Sequence, residues 1–130
     1  MSGRRQLGTG RLLVACVAAL ALLGASAAGA GGATTKSARV SVNDFYFGPS
    51  SVTVKKEGTV RWVWSATNSY PHDVHLKQGP KGLKNKGSYS TKTTAVTNAS
   101  FQKKFTTPGT YKFICTIHPT EMHLSVVVKR

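Results

Sequence analysis

Residues 105–115 read Phe-Thr-Thr-Pro-Gly-Thr-Tyr-Lys-Phe-Ile-Cys, and this stretch decides the fold. Pro108-Gly109 is a turn signal. Beyond it Tyr111, Phe113 and Cys115 share one face of an extended chain, with Lys112 and Ile114 on the other. The same two-residue rhythm recurs outward along the chain. Val60, Trp62 and Trp64 alternate with Arg61, Val63 and Ser65; Val40 alternates with Val42, and Val52 with Val54 after Gly48-Pro49. Glu57-Gly58 sits between two such runs as a hairpin turn would. Leu124–Val128 is a β-branched run suited to a buried last strand. No segment sustains a helical period. The pattern predicts one all-β domain over residues 38–130, a two-sheet sandwich of about seven or eight strands.

Residues 77–100 carry the weakest pattern. Lys77, Lys81, Lys84, Lys86 and Lys92 lie among Gly, Asn, Ser and Thr. They read as a solvated loop with one short edge strand at Tyr89–Thr94, its lysines discouraging edge pairing. The sharper alternative is a docking surface for an anionic partner.

With 130 residues, 40% of them hydrophobic, the chain can fill one core but cannot build a multidomain enzyme. Its N-terminus reads as an address. Arg4, Arg5 and Arg11 precede the charge-free run Leu12–Leu23 and the small-residue stretch that follows it. That order describes a secretory signal peptide over residues 1–30, followed by a short linker at 31–37. The run of 12 residues is short for a membrane span, which takes about 20. Retention as an anchor, or acylation at Cys16 in Leu13-Val14-Ala15-Cys16, are the lesser readings. The protein is therefore expected outside the cytoplasm, in a periplasmic or other extracytoplasmic space. Removal of the signal leaves Cys115 as the single thiol: free, liganded, or paired between chains. It also leaves 15 basic residues against 4 acidic, a net charge of +11. The aromatics do not interleave with these cations as a base-stacking platform requires, so nucleic acid is not expected. An acidic protein or an anionic envelope surface is the expected partner.

The chemistry is concentrated in Cys115-Thr116-Ile117-His118-Pro119-Thr120-Glu121-Met122. A thiol, an imidazole and a thioether lie there within one loop, just beyond a strand. An earlier loop, Tyr70-Pro71-His72-Asp73-Val74, supplies a second imidazole. Cys with two His and a weak axial Met is the donor set of a blue copper site. Thiolate and imidazole hold both Cu(I) and Cu(II), and a loose thioether tolerates either, so an electron can come and go with little rearrangement. His75 and His123 read as surface residues, and Trp62 and Trp64 as core. A closed structural zinc site has no need of Met. No Ser-His-Asp set or carboxylate pair suggests hydrolysis, and no small-molecule substrate or enzymatic activity is expected.

These residues resemble the cupredoxins, the small blue copper proteins that include plastocyanin, pseudoazurin and amicyanin. The pieces that carry the likeness are Phe47-Gly48-Pro49, Gly58-Thr59-Val60-Arg61-Trp62, Pro71-His72-Asp73-Val74, Phe105–Tyr111 and Cys115–Met122. The resemblance implies a Greek-key sandwich, one copper ion held by His72, Cys115, His118 and Met122, and one-electron transfer by a monomer. It also implies that His118 is the partly exposed edge through which electrons pass. Asp73 and Thr116 are expected to hydrogen-bond, tying the two ligand loops together. The competing function with the same ligands is copper binding or delivery without a redox role.

Overall fold

The computed structural model describes residues 33–130. The signal reading of residues 1–30, Cys16 and the start of the linker lie outside the described residues. Seven strands follow in order: β1 (Thr35–Asn43), β2 (Tyr46–Gly48), β3 (Ser51–Trp64), β4 (His75–Gln78), β5 (Ser100–Phe105), β6 (Gly109–Ile114) and β7 (His123–Lys129). One 3-10 turn, Lys86–Tyr89, lies between β4 and β5.

β3 joins the two sheets. Its first part, Ser51–Lys55, runs parallel to β7; its second part runs parallel to β1 and antiparallel to β5. Ser51 is level with Ser125 and Lys55 with Lys129, whereas Trp64 donates a backbone hydrogen bond to Ala99. The chain therefore travels to one end of the domain and returns. Glu57 adopts φ 67, and a Cβ on Gly58 would lie 2.6 Å from the Lys55 carbonyl oxygen. Only glycine fits so tight a reversal. The turn expected at Glu57-Gly58 is present, but its arms pair with different strands and do not form a hairpin ladder. One sheet orders as β2-β1-β3-β5 and the other as β4-β6-β7-β3. This is a Greek-key sandwich.

The inner faces interlock as the alternation predicts. Val40, Val42, Val60, Trp62 and Phe105 from one sheet meet Val54, Tyr111, Phe113, Leu124 and Val126 from the other. Trp62 is fully buried, its ring 5.1 Å from that of Phe113 and 5.4 Å from that of Phe101. Among the described residues its Nε1 is the buried side-chain polar atom without a partner. An orphaned donor of this kind costs about 1–3 kcal/mol. Trp62→Phe removes the donor along with part of the ring, so urea melts are expected to show a loss below about 2 kcal/mol. Trp62→Ala should cost about 3–5 kcal/mol.

Two sequence expectations are corrected. β1 starts at Thr35, inside the expected linker, with Thr35 level with Val54 and Ser37 with Thr59. Tyr89–Thr94 is not an edge strand. Its hydroxyls pair instead: Val74 N–H donates to Thr91 Oγ1 at 3.2 Å and Leu76 N–H to Ser90 Oγ at 3.0 Å. With one backbone bond, Thr91 N–H to the Val74 carbonyl at 2.8 Å, these hydroxyls take the place of a strand ladder beside Val74 and Leu76.

The register separates two ends. The turn at 43–46, loop 65–74 and loop 115–122 share one; the β3 corner at 55–58, the β5–β6 connection and the tail of β7 share the other. At that second end Gly109 has φ 138, and a Cβ there would meet Pro80 at 2.6 Å.

Candidate metal centre

Cys115 follows β6 directly, at the parity of Tyr111 and Phe113, so its sulfur points into the domain and is fully buried. The chain then turns. Met122 N–H donates to His118 carbonyl oxygen at 3.0 Å, and Cys115 N–H to Met122 carbonyl oxygen at 3.3 Å. These bonds close the 115–122 loop and bring His118 back over the sulfur. His72 arrives from the loop between β3 and β4, held by a single bridge to Ala95 with N to O distances of 2.9 and 3.0 Å in the two directions. Trp64 Nε1 donates to the His72 carbonyl at 3.3 Å.

Cys115 Sγ lies 3.9 Å from His72 Nδ1 and 3.8 Å from His118 Nδ1, and the three donor atoms fall within 4.8 Å of one another. A first-row ion bonded to nitrogen at about 2.05 Å and to sulfur at about 2.3 Å, with a trigonal angle, separates N from S by about 3.8 Å. The spacing therefore fits one shared cation. His72 and Cys115 are fully buried, and His118 is half-buried. Met122 is fully buried, and its backbone bonds to Cys115 and His118. His75 and His123 are exposed; His123 lies on the surface with Nε2 3.0 Å from the Thr120 carbonyl. Glu121 is also exposed.

The ligand loops are stitched together. Thr116 N–H donates to Asp73 Oδ1 at 2.7 Å and Thr116 Oγ1 donates to Asp73 Oδ2. Asp73 N–H points at Cys115 Sγ from 3.5 Å.

Asp44, which the sequence reading did not single out, closes the site from behind. Its Oδ1 is 2.9 Å from His72 Nε2, leaving Nδ1 to face the sulfur. It also accepts Ser69 N–H at 2.8 Å and Tyr70 N–H at 3.2 Å. The His72 hydrogen bond holds the Asp44 carboxyl below its ordinary range, and the two backbone donors act in the same direction against some burial. A carboxylate behind a ligating imidazole fixes the ring and makes it a stronger base. The signal in the sequence is slight: an Asp in the turn Asn43-Asp44-Phe45-Tyr46, nowhere near His72 in the chain.

Phe45, the next residue, has φ 69, a left-handed conformation costly for a bulky side chain. That turn sets its ring edge-on to His118, with centroids 5.0 Å apart, and beside Tyr70 at 5.2 Å. Phe45→Gly relieves the strain and removes the shield. Stability should move by less than about 1 kcal/mol, strain relief opposing the lost contacts. Electron exchange between the copper-loaded protein and small soluble complexes should accelerate; an unchanged rate would show that the ring does not screen His118.

The chain matches the family described as "Copper binding proteins, plastocyanin/azurin family" over residues 34–129. It is 34% identical over 113 residues to amicyanin-alpha of Methylorubrum extorquens, covering 82% of this chain and 90% of that protein. Plastocyanin from Dryopteris crassirhizoma superposes with a TM-score of 0.59 at 27% identity, over 70% of this chain and 99% of that one. A copper-containing nitrite reductase from Thermus scotoductus also superposes, with a TM-score of 0.58 at 24% identity, over 72% of this chain. This chain spans only 22% of that enzyme, so the likeness there is one of fold.

Proposed function

This chain belongs to the plastocyanin/azurin family of copper-binding proteins, and on that premise we propose that it is an exported one-electron carrier. His72 Nδ1, Cys115 Sγ and His118 Nδ1 would hold the copper, with the Met122 thioether as the fourth donor of the set. Copper, when bound, supplies a one-electron couple between Cu(I) and Cu(II). The chain's own residues do the rest. The Asp73–Thr116 bonds and Asp44 fix the donors in advance, so neither oxidation state demands a new arrangement. The dry core behind Cys115 excludes water.

The observation that carries the reading is the asymmetry of exposure. One imidazole is fully buried and the other half-buried, at an end where Phe45, Tyr46, Tyr70 and Ile117 stand exposed. Electrons pass through His118 to a redox protein that docks on this apolar face. Loops 43–46, 65–74 and 115–122 contain no Lys or Arg. An acidic partner would therefore meet the lysines of the body and not the copper end. Residues 1–30 act as the export signal, and the folded unit runs from Thr35 onward.

The test is a titration of the purified protein with Cu(II). One equivalent should produce an intense blue colour, a reversible one-electron wave and rapid self-exchange. A colourless complex overturns the proposal. So does a redox-silent site that surrenders Cu(I) to an acceptor, the behaviour of a delivery protein.

A further inference from the structure

Among the described residues, most carboxylates gather at one end of the domain and about half of the cations at the other. At the metal end stand Asp44, Asp73 and Glu121, three of the 4 carboxylates, and the three loops that bear them hold no cation. At the opposite end the order is reversed. Lys55 and Lys56 sit on the β3 corner, Lys129 is level with Lys55, and Arg130 follows it. Lys36 precedes Ser37, which is level with Thr59, and Lys104 is also level with Thr59. Lys81 and Lys84 follow Pro80, which packs on Gly109. The single carboxylate among these cations, Glu57, is spent on Lys104 at 2.7 Å.

The exposed large apolar side chains are Phe45, Tyr46, Tyr70, Val96 and Ile117, none of them in the segments that form this basic end. A protein interface needs an apolar or aromatic centre; a layer of anionic lipid headgroups needs only charge. β1 starts at this end, so the chain before residue 33 joins the domain there.

We propose that the basic end is a docking surface for an anionic phospholipid membrane. It holds the domain upright with the copper end turned to the aqueous side. Lipid attachment does not depend on copper. The orientation rests on the proposed carrier function.

The test uses the copper-loaded full chain and vesicles of phosphatidylcholine alone or mixed equally with phosphatidylglycerol. Binding to neutral vesicles sets the baseline for any contribution of the apolar run Leu12–Leu23. Lys36, Lys55, Lys56 and Lys129 are changed together to Gln; in a control of equal charge, Lys77, Lys86, Lys92 and Lys112 are changed. All eight side chains are exposed, so both variants should fold. At about 1 kcal/mol per cation near the surface, the first set should weaken binding to anionic vesicles on the order of 100-fold or more. The control should lose less than about tenfold. Equal losses in both sets mean that net charge alone acts, and overturn the proposal. So does absence of any preference for anionic vesicles, or tighter binding to polyglutamate than to lipid. In the orientation arm, a soluble oxidant should reach the copper equally fast on vesicles and in solution; a slower reaction on vesicles overturns the upright geometry. If the protein does not load copper, the carrier reading fails while the vesicle comparison still decides the docking surface.

Discussion

Cys115→Ser is expected to leave a folded protein that stays colourless when Cu(II) is added. The intense band of a blue site arises from covalent mixing between a thiolate sulfur and the metal. A serine hydroxyl stays protonated at neutral pH and offers a hard oxygen in its place. His72 and His118 remain, so copper is still held, but more weakly and without a reversible wave. The cost to the metal-free fold is small. The Cys115 site is fully buried, and a hydroxyl there can still accept the Asp73 N–H that now points at sulfur. Partial compensation of this kind keeps the penalty near 1–2 kcal/mol. Absorbance titration and urea melts read the two effects separately. A variant that still turns blue would remove Cys115 from the metal and with it the proposed site.

The same residue shows why so much was legible beforehand. Cys115 lies one step past β6 at core parity, and a two-residue period is a property of the chain alone. Strand existence, the inner faces and the return of His118 toward Cys115 follow from local rhythm plus a loop too short to wander, whereas His72 is joined to them only by donor chemistry and by the likeness to the cupredoxins. What was not legible depends on distant partners. Nothing in residues 55–58 reveals that the arms on either side belong to different sheets, because that choice is made by β7 and by β1. Residues 89–94 look like an edge strand by composition. Ser90 and Thr91 instead spend their hydroxyls on the backbone of Val74 and Leu76, which only the folded chain places beside them. Thr35–Ser37 carry no apolar signal, so the start of β1 is set by its pairing with β3. Asp44 is the sharpest case. Its identity as a turn residue is ordinary, and its chemistry exists only because β1 ends against the loop that bears His72.

That placement makes Asp44 the residue outside the donor set with the largest expected effect. Asp44→Ala strips acceptors from His72 Nε2, Ser69 N–H and Tyr70 N–H together. The imidazole loses the partner that orients it, and copper affinity should fall about 10- to 100-fold. The melting temperature should fall as well, since loop 65–74 loses its tie to the β1–β2 turn. Asp44→Asn separates geometry from charge. Its single amide oxygen can still accept from one side of the site, Ser69 N–H or Tyr70 N–H, and the side chain still fills the turn, so part of the stability should return. The negative charge does not return. A carboxylate behind His72 favours the more highly charged Cu(II), and without it the balance moves toward Cu(I). Each tenfold loss of preference for Cu(II) appears as about 59 mV of upward shift in the one-electron potential. Voltammetry, a competition assay for copper and a thermal melt therefore give three different patterns. Loss of affinity with Ala and a raised potential with Asn identify a positioning residue acting through His72. A melt that drops with Ala while potential and affinity stay unchanged in both variants would reduce Asp44 to a turn residue, and the carboxylate–imidazole pair would have no part in tuning the copper.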